Sequence, residues 1–323
     1  MLRYINIAIF SCLTIGISFS QQMPQYSQYL RNQFMINPGA AGVYDFTDVT
    51  LAGRTQWVGF TNAPMTTYFS ISAPLKAGKG VYNPGTHLST GLAKNPEIKT
   101  GKIKHAVGSQ LVADQYGAFR KIQFSGSYAI HLPITKTMNL SFGTKIGMTT
   151  NTFLQDRAVV ANVGGDNTYT NYTSNQGNRN ILNIGTGLYL YSKSMFFGVS
   201  ADQLTRNMVT FGSGTANFDP KVHFNVTGGV KIPLVNSDFT ITPSFLVKYM
   251  QPTLPIVEGT VQFEYKESIW IAASYRHTDA LIAMFGMNIS NRFKIGYSYD
   301  FSTSKFKTYS SGGHELILGI MLR

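Results

Sequence analysis

The sequence predicts an all-β protein: a closed antiparallel transmembrane β-barrel of about 14 strands, preceded by a short N-terminal non-barrel segment. Three observations lead there. Apolar side chains recur every second residue in segments of about 10 residues, the length that crosses a bilayer at a tilt. Asp, Glu, Lys and Arg make up 13% of the 323 residues, about half the soluble average. No apolar run reaches the 18 residues that a membrane-spanning helix needs.

The clearest stretch is Ala280 to Phe301. Leu281, Ala283, Phe285, Met287 and Ile289 share one strand face, with Ile282, Met284, Gly286 and Asn288 on the other. After Ser290-Asn291-Arg292, residues Phe293, Ile295, Tyr297, Tyr299 and Phe301 alternate with Lys294, Gly296, Ser298, Asp300 and Ser302. This is a hairpin with one oily face and one face of charges, hydroxyls and glycines.

Three regions follow in chain order. Residues 1–20 read as a secretory signal: Arg3 is the positive start, Tyr4 to Ile17 the apolar core, and Ser18-Phe19-Ser20 a small-x-small cleavage site. The mature chain then begins at Gln21. The single cysteine, Cys12, lies in that core. Ile9-Phe10-Ser11-Cys12 is a poor lipoprotein box, since too little apolar core precedes it. Cleavage leaves no thiol and no disulfide. Residues 21–45 are not strand-like. Gln25 to Phe34 fits a short helix with Tyr26, Tyr29 and Leu30 on one side, stopped by Asn37-Pro38-Gly39. Two readings stay open: a periplasmic tail, or a plug folded into the barrel mouth.

Residues 46–323 form the barrel. Strands are expected near 46–57, 65–75, 104–114, 118–131, 137–150, 181–191, 194–203, 221–232, 238–249, 256–266, 268–277, 280–289, 292–302 and 313–322, an even number as bacterial single-chain barrels require. Leu140, Phe142, Ile146 and Met148 oppose Asn139, Ser141, Gly143 and Lys145. Val222, Phe224, Val226 and Val230 oppose His223, Asn225, Thr227 and Lys231, and Val257, Val261, Phe263 and Tyr265 oppose Glu258, Gln262 and Glu264. With the N-terminus periplasmic, short turns fall on the periplasmic side. The long connections Thr152 to Asn180, Leu204 to Pro220 and Thr303 to Gly312 then fall on the cell surface. Lys76 to Ile103 breaks this rule, and Thr86 to Ala93 within it has weak strand character. Lipid leaves no backbone group unpaired, so the last strand must join the first: His314 to Arg323 should pair with Val49 to Thr55. The chain ends in Met321-Leu322-Arg323 rather than in an aromatic residue.

The inward face collects Arg54, Gln56, Lys145, Lys248, Glu258, Glu264, Arg276, Lys294, Asp300 and Glu315. Buried charges need partners, so these residues form a paired interior network or a binding surface for a peptide segment. Trp57, Tyr297 and Tyr299 suit the interfacial aromatic belt. Signals for catalysis are poor. The six histidines are dispersed, and His277 with Asp279 is a hairpin tip. No catalytic group, cofactor site or metal spacing emerges. Gly164-Gly165-Asp166-Asn167 is read as a loop rather than a phosphate cradle, because no helix is expected after it. The formal charge of +12 is scattered along strands and turns. It excludes a nucleic-acid footprint and suits outer-membrane lipid headgroups or an acidic protein partner.

Several motifs together resemble the PorP/SprF family. They are Gln25-Tyr26-Ser27-Gln28-Tyr29, Asn37-Pro38-Gly39-Ala40-Ala41-Gly42, Arg54-Thr55-Gln56-Trp57-Val58-Gly59-Phe60 and Ala63-Pro64-Met65-Thr66. The end of the chain agrees, with Tyr275-Arg276, Asp279-Ala280, Gly296-Tyr297-Ser298-Tyr299-Asp300 and His314-Glu315. The resemblance implies a non-enzymatic outer-membrane barrel of the type IX secretion system of Bacteroidetes. It implies two kinds of partner: periplasmic secretion components, and a secreted cell-surface protein or adhesin with a type B C-terminal sorting domain. The barrel would support that protein's export or surface attachment, in a system linked to gliding motility. The alternative is a transport pore for small or hydrophobic solutes. The residues expected to carry partner binding or the lumen network are Arg54, Gln56, Trp57, Arg276, Asp279, Tyr297, Tyr299, Asp300, His314 and Glu315. Asn37, Pro38 and Gly42 form the N-terminal motif. The Lys76 to Ile103 insertion departs from the family's short turn.

Overall fold

A computed structural model describes residues 24–75, 98–160, 167–174, 178–206, 210–211, 220–289, 292–304, 308 and 310–322. Fourteen long strands close into one antiparallel barrel. They are β1 Thr47–Thr55, β2 Met65–Pro74, β3 Lys104–Tyr116, β4 Phe119–Thr135, β5 Met138–Phe153, β6 Asn178–Ser192 and β7 Met195–Asp202, followed by β9 His223–Val230, β11 Phe239–Met250, β12 Ile256–Tyr265, β13 Ile269–Arg276, β14 Ala280–Ile289, β15 Phe293–Ser302 and β16 Gly313–Leu322. Two short pieces complete the sheet. β8, Thr210–Phe211, pairs with β6, and β10, Ile232–Pro233, pairs with β11. β9 and β10 are separated at Lys231, which was expected to lie within one continuous strand; on the β11 side the register is unchanged across the gap and sets Val230 opposite Pro243, which has no N–H to give, while the Lys231 N–H donates to the Ser194 carbonyl at 2.6 Å.

Each of the fourteen long strands pairs with the next long strand, and the ends meet. β1 lies against β16 from Thr47 opposite Leu322 to Thr55 opposite His314. Each inner edge is thereby paired, as lipid demands. The alternation follows the expected faces. On β14 and β15, Leu281, Phe285, Ile289, Phe293 and Phe301 are exposed on the outside, while Lys294 and Asp300 are buried inside. A strand of 10 residues spans roughly 33 Å, about the thickness of a bilayer core once tilted. The wall is uneven: β4, β5 and β6 run for 17, 16 and 15 residues, against 8 in β13.

The expected long connection between β5 and β6 is shorter than the sequence suggested, because both strands extend further. Within it, Asn167–Ser174 forms a helix, which corrects the expectation that none follows Asn167. The helix is polar and gains its stability from tertiary contact. Tyr172 lies against Phe119 and Phe153 at centroid distances of 5.7 and 5.2 Å, and Tyr169 against Phe153 at 6.2 Å. The signal segment 1–20, the strand-like Thr86 to Ala93, and Gly164 to Asp166 lie outside the described residues.

Candidate functional site

Residues 24–46 run inside the barrel. The helix expected over Gln25 to Phe34 is replaced by three 3-10 turns, Tyr29–Arg31, Gln33–Met35 and Pro38–Ala40. A regular helix would satisfy its backbone internally. Here the wall supplies partners instead: Gln110 Nε2 donates to the Phe34 carbonyl at 2.6 Å, and Ser200 Oγ to the Ile36 carbonyl at 2.6 Å. Tyr26, Tyr29, Phe34, Met35 and Ile36 are buried, and Tyr26, Tyr29, Met35 and Ile36 pack with Tyr68, Val112, Leu246 and Ile317 of the wall. Tyr29 Oη lies 3.1 Å from both Ser244 Oγ and Thr260 Oγ1. Burial pushes the Tyr29 phenol up to about 12 and raises Tyr26 further. Both stay protonated at physiological pH.

The Asn37-Pro38-Gly39-Ala40-Ala41-Gly42 motif is the seat of this inner segment. Asn37 Oδ1 accepts from the Gly39 N–H at 2.8 Å, closing the third turn with Pro38 at its start. Asn37 Nδ2 reaches the wall, donating to the carbonyls of Leu188 and Val199 at 2.9 and 3.2 Å. The wall meets it with inward glycines. A Cβ at Gly143 would fall 2.4 Å from the backbone of Pro38 and Gly39, and one at Gly187 would fall 2.1 Å from Asn37 Oδ1. Glycine in a strand commonly marks such close backbone approach. Gly42 is required twice over: its φ is +64°, and a Cβ there would lie 2.3 Å from that of Ala106. Asn37→Ala is expected to lower stability by about 1–3 kcal/mol, the cost of a lost buried hydrogen-bonding group. Thermal unfolding in detergent reads it.

A charged network grips the start of the segment. Ser27 sits at its centre, buried with Gln28. Its N–H donates to Glu315 Oε2 at 2.8 Å and its hydroxyl to Asp300 Oδ1 at 2.9 Å. Arg54 donates to Ser27 Oγ at 2.5 Å and to Asp300 Oδ2 at 2.7 Å, and stands 3.5 Å from Glu315. Arg276 binds Glu258 at 2.8 Å, Asp279 at 3.1 Å and Asp300 at 3.3 Å. Lys248 Nζ donates to the Pro24 carbonyl at 2.9 Å and lies 5.0 Å over the Tyr26 ring. Three buried cations thus stand among three buried carboxylates. Such balance is what makes burial of charge tolerable. Lower in the lumen, Lys294 pairs with Asp48 at 2.7 Å.

The expected site residues divide. Arg54, Arg276, Asp279, Asp300 and Glu315 join the network, with Asp279 at its half-exposed rim. Gln56 is buried just past the end of β1. Trp57 lies in the β1–β2 turn with φ +51°. Tyr297, Tyr299 and His314 belong to a different group. They stand on the outer faces of β15 and β16, where Tyr297 Oη is 2.6 Å from His314 Nδ1 and the Tyr299 ring is 4.9 Å from that of His314. They are part of an aromatic belt, as alternation with Ser298 and Glu315 requires. Ser27 and Gln28 stood in the family motif but were not assigned to the site; Asn32 was missed, as was His131, which is buried between the Ala41 carbonyl and Tyr191 Oη at 2.9 Å each. The available signals were that motif and the glycines on inner strand faces. Among the described residues no group of His, Cys, Asp and Glu could hold a metal ion.

With this geometry in place, comparison with known proteins adds one deciding match. A family described as "Type IX secretion system membrane protein PorP/SprF" matches residues 18–320. The chain belongs to the PorP/SprF family. It is therefore an outer-membrane barrel of the type IX secretion system. No curated protein sequence matches it. Among solved structures, this PorP/SprF barrel is similar to the toluene transporter TodX of P. putida, at 8% identity over 89% of this chain and 92% of that one, with a TM-score of 0.47. It is similar to the Acinetobacter baumannii outer membrane protein Omp33 at 9% identity, covering 87% and 99%, with a TM-score of 0.43. The CymD monoaromatic hydrocarbon channel gives 11% identity, 89% and 91% coverage, and 0.46.

Proposed function

We propose that this PorP/SprF barrel is a non-enzymatic binding partner for a secreted cell-surface protein, and that it supports that protein's export or attachment. One observation carries the reading: the lumen is occupied by the chain's own residues 24–46, anchored by ion pairs and seated on glycines. A conduit for solutes needs an open path, whereas a plugged, rigid cylinder suits a scaffold that presents its surface. In this reading residues 24–46 act as a plug. The long connections after β5, β7 and β15 meet the exported partner, while the opposite rim faces periplasmic secretion components.

A tagged copy extracted in mild detergent should retain one large surface protein, identified by mass spectrometry. Deleting residues 158–176 should release that protein from cells while the barrel still assembles. Recovery of no surface or periplasmic protein, together with solute-dependent swelling of liposomes that carry the wild-type barrel, would favour the pore.

A further inference from the structure

Above the inner segment, toward the outer mouth, two clefts join. The upper is lined by residues that include Lys121, Thr149, Asn183, Arg206 and His223. The lower shares Lys121, Gln203 and His223 and reaches Lys145, Asp202 and Lys248 beside Tyr26. Lys145 is matched by Asp202 at 2.8 Å. Lys121 has no such match among the described residues. With the Gln203 amide turned so that its oxygen faces Lys121, its ammonium donates to that oxygen at 2.7 Å. Asp114, opposite Lys121 on β3, is held by Thr66 Oγ1 instead, at 2.5 Å. Lys248 belongs to the balanced network below, so three cations, Lys121, Lys145 and Arg206, stand against the two carboxylates Asp114 and Asp202.

A second, independent observation points the same way. Asn183 and Thr149 are 2% and 4% exposed, yet Asn183 Nδ2 and Thr149 Oγ1 have no hydrogen-bond partner. Buried donors are normally satisfied, and both belong to the lining of the upper cleft. Unmatched positive charge beside two orphan donors is the complement of a carboxylate. Apolar side chains share the lining: Ile181 and Met250 above, Met35, Ile36 and Val112 below. A small hydrated anion would leave them unused.

We propose that this cleft binds a carboxylate carried on an extended, partly apolar peptide that enters from the cell surface, with Lys121 as the charge partner and Asn183 and Thr149 as donors. The proposal rests on the partner-binding reading above and names the chemistry of the bound segment.

The test is calorimetric titration of the full barrel in mild detergent. The probe is a blocked hexapeptide of alternating leucine and glutamate, compared with its glutamine counterpart and with free glutarate. The glutamate peptide should bind at least tenfold more tightly than the glutamine peptide, and more weakly as salt rises. Lys121→Gln should cost at least tenfold, while Lys121→Arg should stay within about threefold of wild type. If Lys121→Gln fails to fold, as judged by heat-modifiable gel mobility, Asn183→Leu carries the same comparison without a change of charge. Equal binding of the two peptides, or undiminished binding by a folded Lys121→Gln or Asn183→Leu barrel, overturns the proposal. Glutarate binding as tightly as the peptide overturns the peptide assignment and marks a free-solute site. Peptide binding that persists when cells yield no surface partner would discard the export reading alone, so the two can fail separately.

Discussion

Replacing Arg54 by alanine should lower the stability of the barrel by about 3–5 kcal/mol, the usual cost of stranding a buried charge. Arg54 is 2% exposed and touches Ser27, Asp300 and, at 3.5 Å, Glu315. Its removal leaves two carboxylates to Arg276 and to the N–H groups of Ser27 and Gln28. The effect should reach both the wall and the inner segment, because Arg54 faces Glu315 across the β1–β16 seam that closes the cylinder. Arg54→Lys should recover only part of the loss. One ammonium cannot reproduce the forked contacts of a guanidinium to Ser27 and Asp300. A double substitution, Arg54→Met with Asp300→Leu, should be milder than Arg54→Ala, since it removes a charge of each sign together. Heat-modifiable mobility and melting in detergent measure all three. An Arg54→Ala barrel that melts with the wild type would show that these charges are solvated rather than buried.

The second large effect is steric. Gly143→Val should prevent the inner segment from seating while leaving the strands paired. The added carbon would lie 2.4 Å from the backbone of Pro38 and Gly39, and backbone cannot yield as a side-chain tip can. Overpacking costs typically about 1–3 kcal/mol and more where nothing can move. Relief requires the backbone around Pro38 and Gly39 to lift off the wall, which loosens the seat of residues 24–46. Gly187→Leu should act the same way through Asn37. Two measurements check this: protease cleavage within residues 24–46 in folded barrels, and ion conductance across a planar bilayer. Both should be low in the wild type and raised in the variants. Gly259, where an added Cβ meets nothing within 4 Å, provides the control: Gly259→Ala should change neither reading.

Much of the wall was legible along the chain. Two-residue alternation is a local property, imposed at every step by lipid on one side of a strand and packed polar groups on the other. Leu281 and Lys294 therefore announce their faces without knowledge of any partner. The β1–β16 closure was legible for a related reason: a strand end in lipid has no acceptable alternative to pairing. The inward charges could also be read, because ten ionic or amide side chains fell on the same parity. Their partners could not. Ser27 meets Asp300 across 273 positions of chain, and no local pattern encodes such a contact.

Glycine shows the boundary well. Gly143 was visible as a gap on an inner face, but a gap does not say what fills it. The helix expected over Gln25 to Phe34 failed because tertiary hydrogen bonds from Gln110 and Ser200 replaced its internal ones. Tyr297 and Tyr299 read as belt aromatics and also, with His314, as neighbours in sequence of the charged motif. One step along a strand moves a side chain to the opposite surface, and this step separates them from Asp300 and Glu315.

Taken alone, then, the order of residues determined the class, the strand count and which surface meets lipid, since those depend on periodicity that any ten-residue window carries. Only the folded barrel decided that residues 24–46 lie within it, which serine the two arginines grip, and which lysine is left without a matching carboxylate. Those outcomes depend on groups hundreds of positions apart being forced to share a desolvated interior, where each must find a complement or bear the full cost of losing water.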